Sequence, residues 1–184
     1  MKVRRKMKYV QYFGLWGLSV LLLFIAIVGF MGCYSMRNRV DLTPVGHFNL
    51  TRFLGKWYEI ARFDHWFERE MSHVTATYTL REDGGVSVFN SGRKDGKLKV
   101  ATGKGKLTNQ QALLKVSFYW PFYGDYRILW VDENYQHALV GGGNSEYLWI
   151  LSRTPTIDSS VRNTILFEAI RRGYEVDKLI WIEQ

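Results

Sequence analysis

Four histidines and one cysteine are where catalytic or metal chemistry would first be sought in this sequence of 184 residues, and they are sparsely placed. His47, His65, His73 and His137 fall in no H-E-x-x-H or other dense ligand pattern, and no G-x-S-x-G turn occurs. Neither a metal nor a cofactor is therefore expected. His65 and Glu68 sit three apart in Asp64 to Ser72, a stretch of mixed aromatics and charges, and are close enough for general-base chemistry. Loop charges of this kind ordinarily solvate a rim, and no nucleophile accompanies them. Gly141-Gly142-Gly143 lacks the Lys-Ser/Thr pair and the helix start of a phosphate cradle, and reads as a bulge or turn. The catalytic site is expected to be none.

Cys33 calls for a different chemistry. As the only cysteine it excludes an intramolecular disulfide. It follows an uncharged run, Phe13 to Gly32, which is preceded by the basic stretch Lys2 to Lys8, so residues 1–32 read as an export or membrane signal. Two fates stay open: cleavage before Cys33, or retention as an inner-membrane signal anchor. Both leave the rest of the chain outside the cytoplasm, because the basic end stays inside. The ending Phe30-Met31-Gly32-Cys33 resembles a bacterial lipoprotein signal, with Gly32 in the small position and Phe30 where Leu is usual. That resemblance implies acylation of Cys33 and, with Tyr34 rather than Asp next, forwarding to the outer membrane. Residues 33–46, with Pro44 and Gly46, would be the tether.

The leader also explains the charge. Residues 1–32 carry five cations and no acid, so only +3 of the net +8 belongs to the remainder. No RNA-binding signature, finger or Lys/Arg-rich helix accompanies that remainder, and nucleic acid is not an expected partner. The ribbon Arg93, Lys94, Lys97, Lys99, Lys104 and Lys106 suits either anionic lipid headgroups or a solvated strand face guarded against strand addition; the second is the plainer reading.

The elements that would position a site are strands. Aromatic residues make up 16% of the chain, which favours a sheet protein with a large apolar interior. Gly55 permits a sharp change of direction before Trp57, which begins the first alternating run. Val74, Ala76, Tyr78 and Leu80 then alternate with threonines. Asp83-Gly84-Gly85 signals a hairpin leading into Val86 to Asn90. Further strands are expected over Lys97 to Thr108, Ala112 to Trp120, Tyr126 to Val131, Gln136 to Val140 and Tyr147 to Leu151. Val161, Ile165, Leu166, Ala169 and Ile170 recur at helical spacing after a cap at Asp158 or Ser159, Gly173 stops them, and Lys178 to Ile182 can add a last strand. Eight strands joined mostly by short turns predict an all-β, up-and-down antiparallel barrel with one helix outside; a sandwich is the competing architecture.

Three stretches in order then resemble the lipocalins: Asn49 to Arg62 with its G-x-W core, Asp132-Glu133-Asn134-Tyr135 near the family's T-D-Y turn with Val131 in place of Thr, and Arg153 after the eighth strand. The resemblance spans residues 47–184, and the wording of Trp57 to Asp64, Pro121 to Gly124 and Tyr147 to Thr156 is similar to the bacterial branch, outer-membrane lipoproteins related to apolipoprotein D. It implies structural roles for Gly55, Trp57 and Arg153 at the closed end of the barrel, and carriage of a lipophile inside. Alternation places Tyr78, Phe118, Tyr126, Ile128 and Trp149 on the cavity wall, suited to a fatty acid or lysophospholipid. An interior packed shut, an enzyme acting on lipid esters, a tethered interaction module and a homodimer are the alternatives left standing.

Overall fold

The structure is a computed structural model that describes residues 40–184; the signal at 1–32 and the anchor at Cys33 lie outside the described residues. Eight antiparallel strands follow one another around a closed barrel: β1 (Gly55–Arg62), β2 (Ser72–Leu80), β3 (Val86–Lys94), β4 (Lys97–Leu107), β5 (Leu113–Tyr119), β6 (Phe122–Val131), β7 (His137–Gly141) and β8 (Leu148–Ser152). Each pairs with the next, and β8 returns to β1, which also pairs with β2. Closure removes the free sheet edges. The barrel, rather than the sandwich, is the architecture. A two-residue β9 (Ile180–Trp181) adds to the mouthward half of β1 from outside, where β2 has parted from it.

Alternation along the strands builds two cores. Inward residues, among them Trp57, Tyr78, Val86, Val88, Leu114, Ile128 and Val140, form the interior cluster. Outward residues of β1, β6, β7 and β8 form a second one, covered by helix α2 (Ser159–Arg171) through Ile165 and Ala169. Burying a side chain of the size of Ile165 is worth roughly 1.5–3 kcal/mol. The expected helical stripe is corrected at one position: Ile170 faces solvent. Leu80, expected on the buried face of its strand, is likewise exposed at the strand's end.

Segment 40–46, counted with the tether on sequence grounds, lies along the barrel. The Asp41 amide donates to the Arg172 carbonyl, the Val45 amide donates to that of Ile128, and Pro44 is buried. Arg172 ties the layers together, donating to the carbonyls of Thr43 at 2.8 Å and Leu129 at 2.7 Å and to the Glu168 carboxylate at 2.7 Å.

Antiparallel order sorts the connections between the two ends. The β1–β2, β3–β4, β5–β6 and β7–β8 connections share one end, the mouth. The β2–β3, β4–β5 and β6–β7 turns share the other with the short helix α1 (Leu50–Phe53), whose N-cap Asn49 accepts from the Arg52 amide.

Candidate functional site

The closed end is built around Trp57, which has no exposed surface. Gly55, at φ +94, makes the turn from α1 into β1, a conformation in which side chains with a Cβ are strained. The indole Nε1 donates to the Phe53 carbonyl at 2.7 Å, and the Phe53 ring packs 4.8 Å away. Arg153 lies over the indole, its guanidinium carbon 3.8 Å from the ring centroid. The guanidinium donates to the carbonyls of Lys56, Arg52 and Leu54 at 2.8, 2.8 and 2.9 Å, and to those of Phe53 and Tyr135 at 3.2 Å. One cation thus satisfies the carbonyls that a short helix leaves free. Asp132 organises the adjoining turn by accepting from the amides of Asn134 and Gln136, so the turn holds with Val131 in the Thr position. Tyr135 packs back through its hydroxyl, which accepts from the Asn49 amide at 2.7 Å.

Above this floor Tyr78 on β2 and Tyr126 on β6 meet hydroxyl to hydroxyl at 2.5 Å, a bar across the barrel between strands that are not neighbours. Burial pushes both phenols above their ordinary range. Ile128 is fully buried in the same cluster, while Tyr126 and Trp149 keep accessible surface although both point inward. Ala76 and Val116 do the same. The β4 wall supplies Ala101, Gly103 and Gly105 to the interior, all small. A Cβ on Gly103 would lie 2.9 Å from the Phe118 ring, so that ring occupies the space a side chain would need. Phe118, placed on the wall by alternation, is 47% exposed and stands where the wall opens toward the mouth.

His65 and Glu68, expected on a solvated rim, are instead buried, in a polar group with Glu59 and Arg62 on the β1–β8 side. Arg62 donates to Glu59 at 2.7 Å and to the Glu68 carbonyl, and Trp149 Nε1 donates to the Glu68 carboxylate at 3.2 Å. Burial, then the neighbouring Glu68 charge, pushes Glu59 up to about 8; burial raises Glu68 as well. His65 stacks on Phe67 and Tyr147, with ring centroids 5.3 and 4.9 Å away, and packs tilted against Trp149 at 4.9 Å. Burial, reinforced by the Arg62 charge, depresses it to about 4. Its Nε2 has no hydrogen-bond partner, so His65 and Glu68, although adjacent, do not form an imidazole–carboxylate pair. Among the described residues no cluster of three or more His, Cys, Asp and Glu could hold a metal ion. The arrangement can enclose an apolar chain, and the interior offers both donors and acceptors near it.

Known proteins give the same frame. The family model described as a lipocalin-like domain matches residues 48–184. The chain is 48% identical to the outer membrane lipoprotein Blc of Escherichia coli (strain K12), over 84% of this chain and 89% of that protein. It is 29% identical to apolipoprotein D of Bos taurus, over 90% and 95% of the two chains. Among solved structures, the cockroach allergen Per a 4 superimposes with a TM-score of 0.65 at 19% identity, over 80% of this chain and 96% of that one, a likeness of fold alone. With the G-x-W turn, the cross-barrel bar and the Arg153 clamp in place, the chain belongs to the lipocalin family, in its bacterial branch.

Proposed function

We propose that the barrel binds a small hydrophobic ligand, a fatty acid or lysophospholipid, and stores or carries it without chemical change at the outer membrane. One observation carries this reading: residues that point into the middle of the barrel, Ala76, Val116, Tyr126 and Trp149, keep accessible surface, while β4 contributes only small residues there. A core packed shut would bury them. The tail would run between these walls above the Tyr78–Tyr126 bar, with Phe118 beside it near the mouth and Ile128 below. Burying a 14-carbon tail contributes on the order of 10 kcal/mol gross at about 0.8 kcal/mol per methylene, before association costs.

The similarity to proteins named outer membrane lipoprotein supports the location, and acylation of Cys33 would provide the anchor. Several acyl chains make such attachment effectively permanent. Against an esterase stands the buried pair His65 and Glu68, whose imidazole and carboxylate make no hydrogen bond to each other. Native mass spectrometry of the protein released from membranes is expected to show bound fatty acid or lysophospholipid. An empty protein that also takes up no fluorescent fatty acid would refute carriage; ester turnover abolished by His65→Ala would make it an enzyme.

A further inference from the structure

The wall of the barrel is not continuous to the rim. β4 and β5 are paired only from Lys104 opposite Ser117 to Leu107 opposite Leu114, whereas Lys97 to Gly103 pair with β3 alone. Mouthward of Ser117 the two strands therefore bound a side opening, with the inward Ala101 and Phe118 exposed within it.

Its outer lips are apolar, which reverses the usual order of a barrel in water. Paired strand residues share a face, so Phe89, Val100 and Leu98 all project outward from the β3–β4 hairpin, opposite the interior residues Asn90, Ala101 and Lys99. All three are exposed, Leu98 to 68%. The β5–β6 tip on the other lip adds Tyr119, Trp120 and Phe122, which are 79%, 80% and 72% exposed. Six large apolar side chains from two adjacent hairpins exceed the scattered exposure that needs no explanation.

Charge decides among occupants. The β3–β4 corner carries Arg93, Lys97 and Lys99 against Asp95, Lys94 being paired with Glu70 at 2.9 Å, and the β5–β6 tip from Tyr119 to Gly124 carries no charge. Cations at the corner of an apolar, Trp- and Tyr-bearing lip suit an anionic lipid interface, where the rings sit at headgroup depth and the lysines reach phosphate. A second copy would bring the same cations against themselves.

We propose that these lips dock on a lipid surface bearing anionic headgroups, so that the β4–β5 opening faces the lipid from which the ligand enters. The docking stands on exposure and charge; the direction of ligand passage rests on the carriage reading above.

The test uses the full chain reconstituted in phosphatidylcholine vesicles, with and without phosphatidylglycerol, whose acyl chains are ordinary or brominated. Bromine quenches indoles that reach the acyl region, and the contribution of Trp120 is the difference between wild type and Trp120→Phe, every other tryptophan being common to both. Docking predicts that Trp120 emission is quenched by brominated lipid, more strongly with phosphatidylglycerol, and that Arg93→Gln, Lys97→Gln and Lys99→Gln together remove that increment. Trp120 emission equal in ordinary and brominated lipid overturns the proposal. Shielding of Trp120 from acrylamide that disappears on diluting the protein within the vesicles, without bromine quenching, would assign the lips to self-association and overturn it too. Fluorescent fatty acid offered in solution separates the two readings. Trp120 quenched in a protein that takes up none leaves the docking and removes carriage. With uptake from solution intact, Leu98→Ser with Val100→Ser is expected to slow uptake from vesicles about tenfold, since less apolar surface is buried at the interface.

Discussion

The two ends of the barrel use polar groups in opposite ways. At the floor one guanidinium, that of Arg153, donates to five backbone carbonyls and covers the face of Trp57. In the interior on the mouth side, Arg62 Nε, His65 Nε2 and Asn90 Oδ1 have no hydrogen-bond partner, and carboxyls at Glu59 and Glu68 are held above their ordinary range. Satisfied polar groups rigidify; strained ones leave room for a ligand to supply contacts. The lesson is that the residues carrying the family resemblance, Gly55, Trp57 and Arg153, build the closed end, away from the mouth.

Breaking the floor gives the largest expected effect. Trp57→Ala removes a fully buried indole and should destabilise by about 3–5 kcal/mol in a chemical melt; a loss under 1 kcal/mol would contradict its place at the centre of the floor. Arg153→Leu keeps the packing surface and strands the carbonyls, for an expected loss of about 2–3 kcal/mol. Fatty-acid affinity per folded molecule should be nearly unchanged in the second variant, and a large drop would join the two ends functionally.

The polar group near the mouth predicts a pH dependence. Unfolding lets Glu59 lose its proton at its ordinary 4.5, whereas the folded protein holds it to about 8, so stability falls as pH rises across that window. His65 acts with the opposite sign: the unfolded chain takes up a proton below 6.5 that the buried ring refuses until about 4, so stability falls as pH drops there. The two oppose each other where the windows overlap, and above 6.5 Glu59 acts without His65, in the same direction as the raised Glu68 carboxyl. Stability should therefore decline by about 2 kcal/mol from pH 6.5 to 8, at roughly 1.4 kcal/mol per pH unit. Glu59→Gln should lessen the decline in urea melts across that range; a wild-type curve flat above 6.5 would show Glu59 ionised in the fold.

That polar group also shows where the sequence stops being readable. Half-buried strands alternate, so eight strands, the barrel and the helix over Ile165 and Ala169 followed from spacing. Counting by twos from Trp57 puts Ala61 inward and Arg62 outward. The structure reverses them, because a bulge between Glu59 and Ala61 shifts the register: Glu59 opposes Leu151 on the interior side, Ala61 opposes Ile150 on the helix side, and Arg62 opposes Trp149. A bulge leaves no residue signature of its own here, and every parity assignment beyond it inverts. The β4 wall escaped for another reason, since Ala101, Gly103 and Gly105 offer no side chain from which a cavity could be read. Parity places Tyr78 and Tyr126 on the wall, but a bond across the barrel joins strands whose sequence positions carry no mark of each other.

The smallest change expected in stability sharpens the contrast most. Ala101 points inward beside the β4–β5 opening and is exposed, so a larger side chain there meets space rather than packed atoms. Ala101→Trp should alter stability by no more than about 0.5 kcal/mol, as for surface substitutions generally. The same ring would stand across the opening, and stopped-flow uptake of a fluorescent fatty acid should slow while the final bound fraction changes little. Uptake at the wild-type rate would place the ligand's path over the rim, past Trp66 and Phe67 of the β1–β2 connection, instead of between the parted strands.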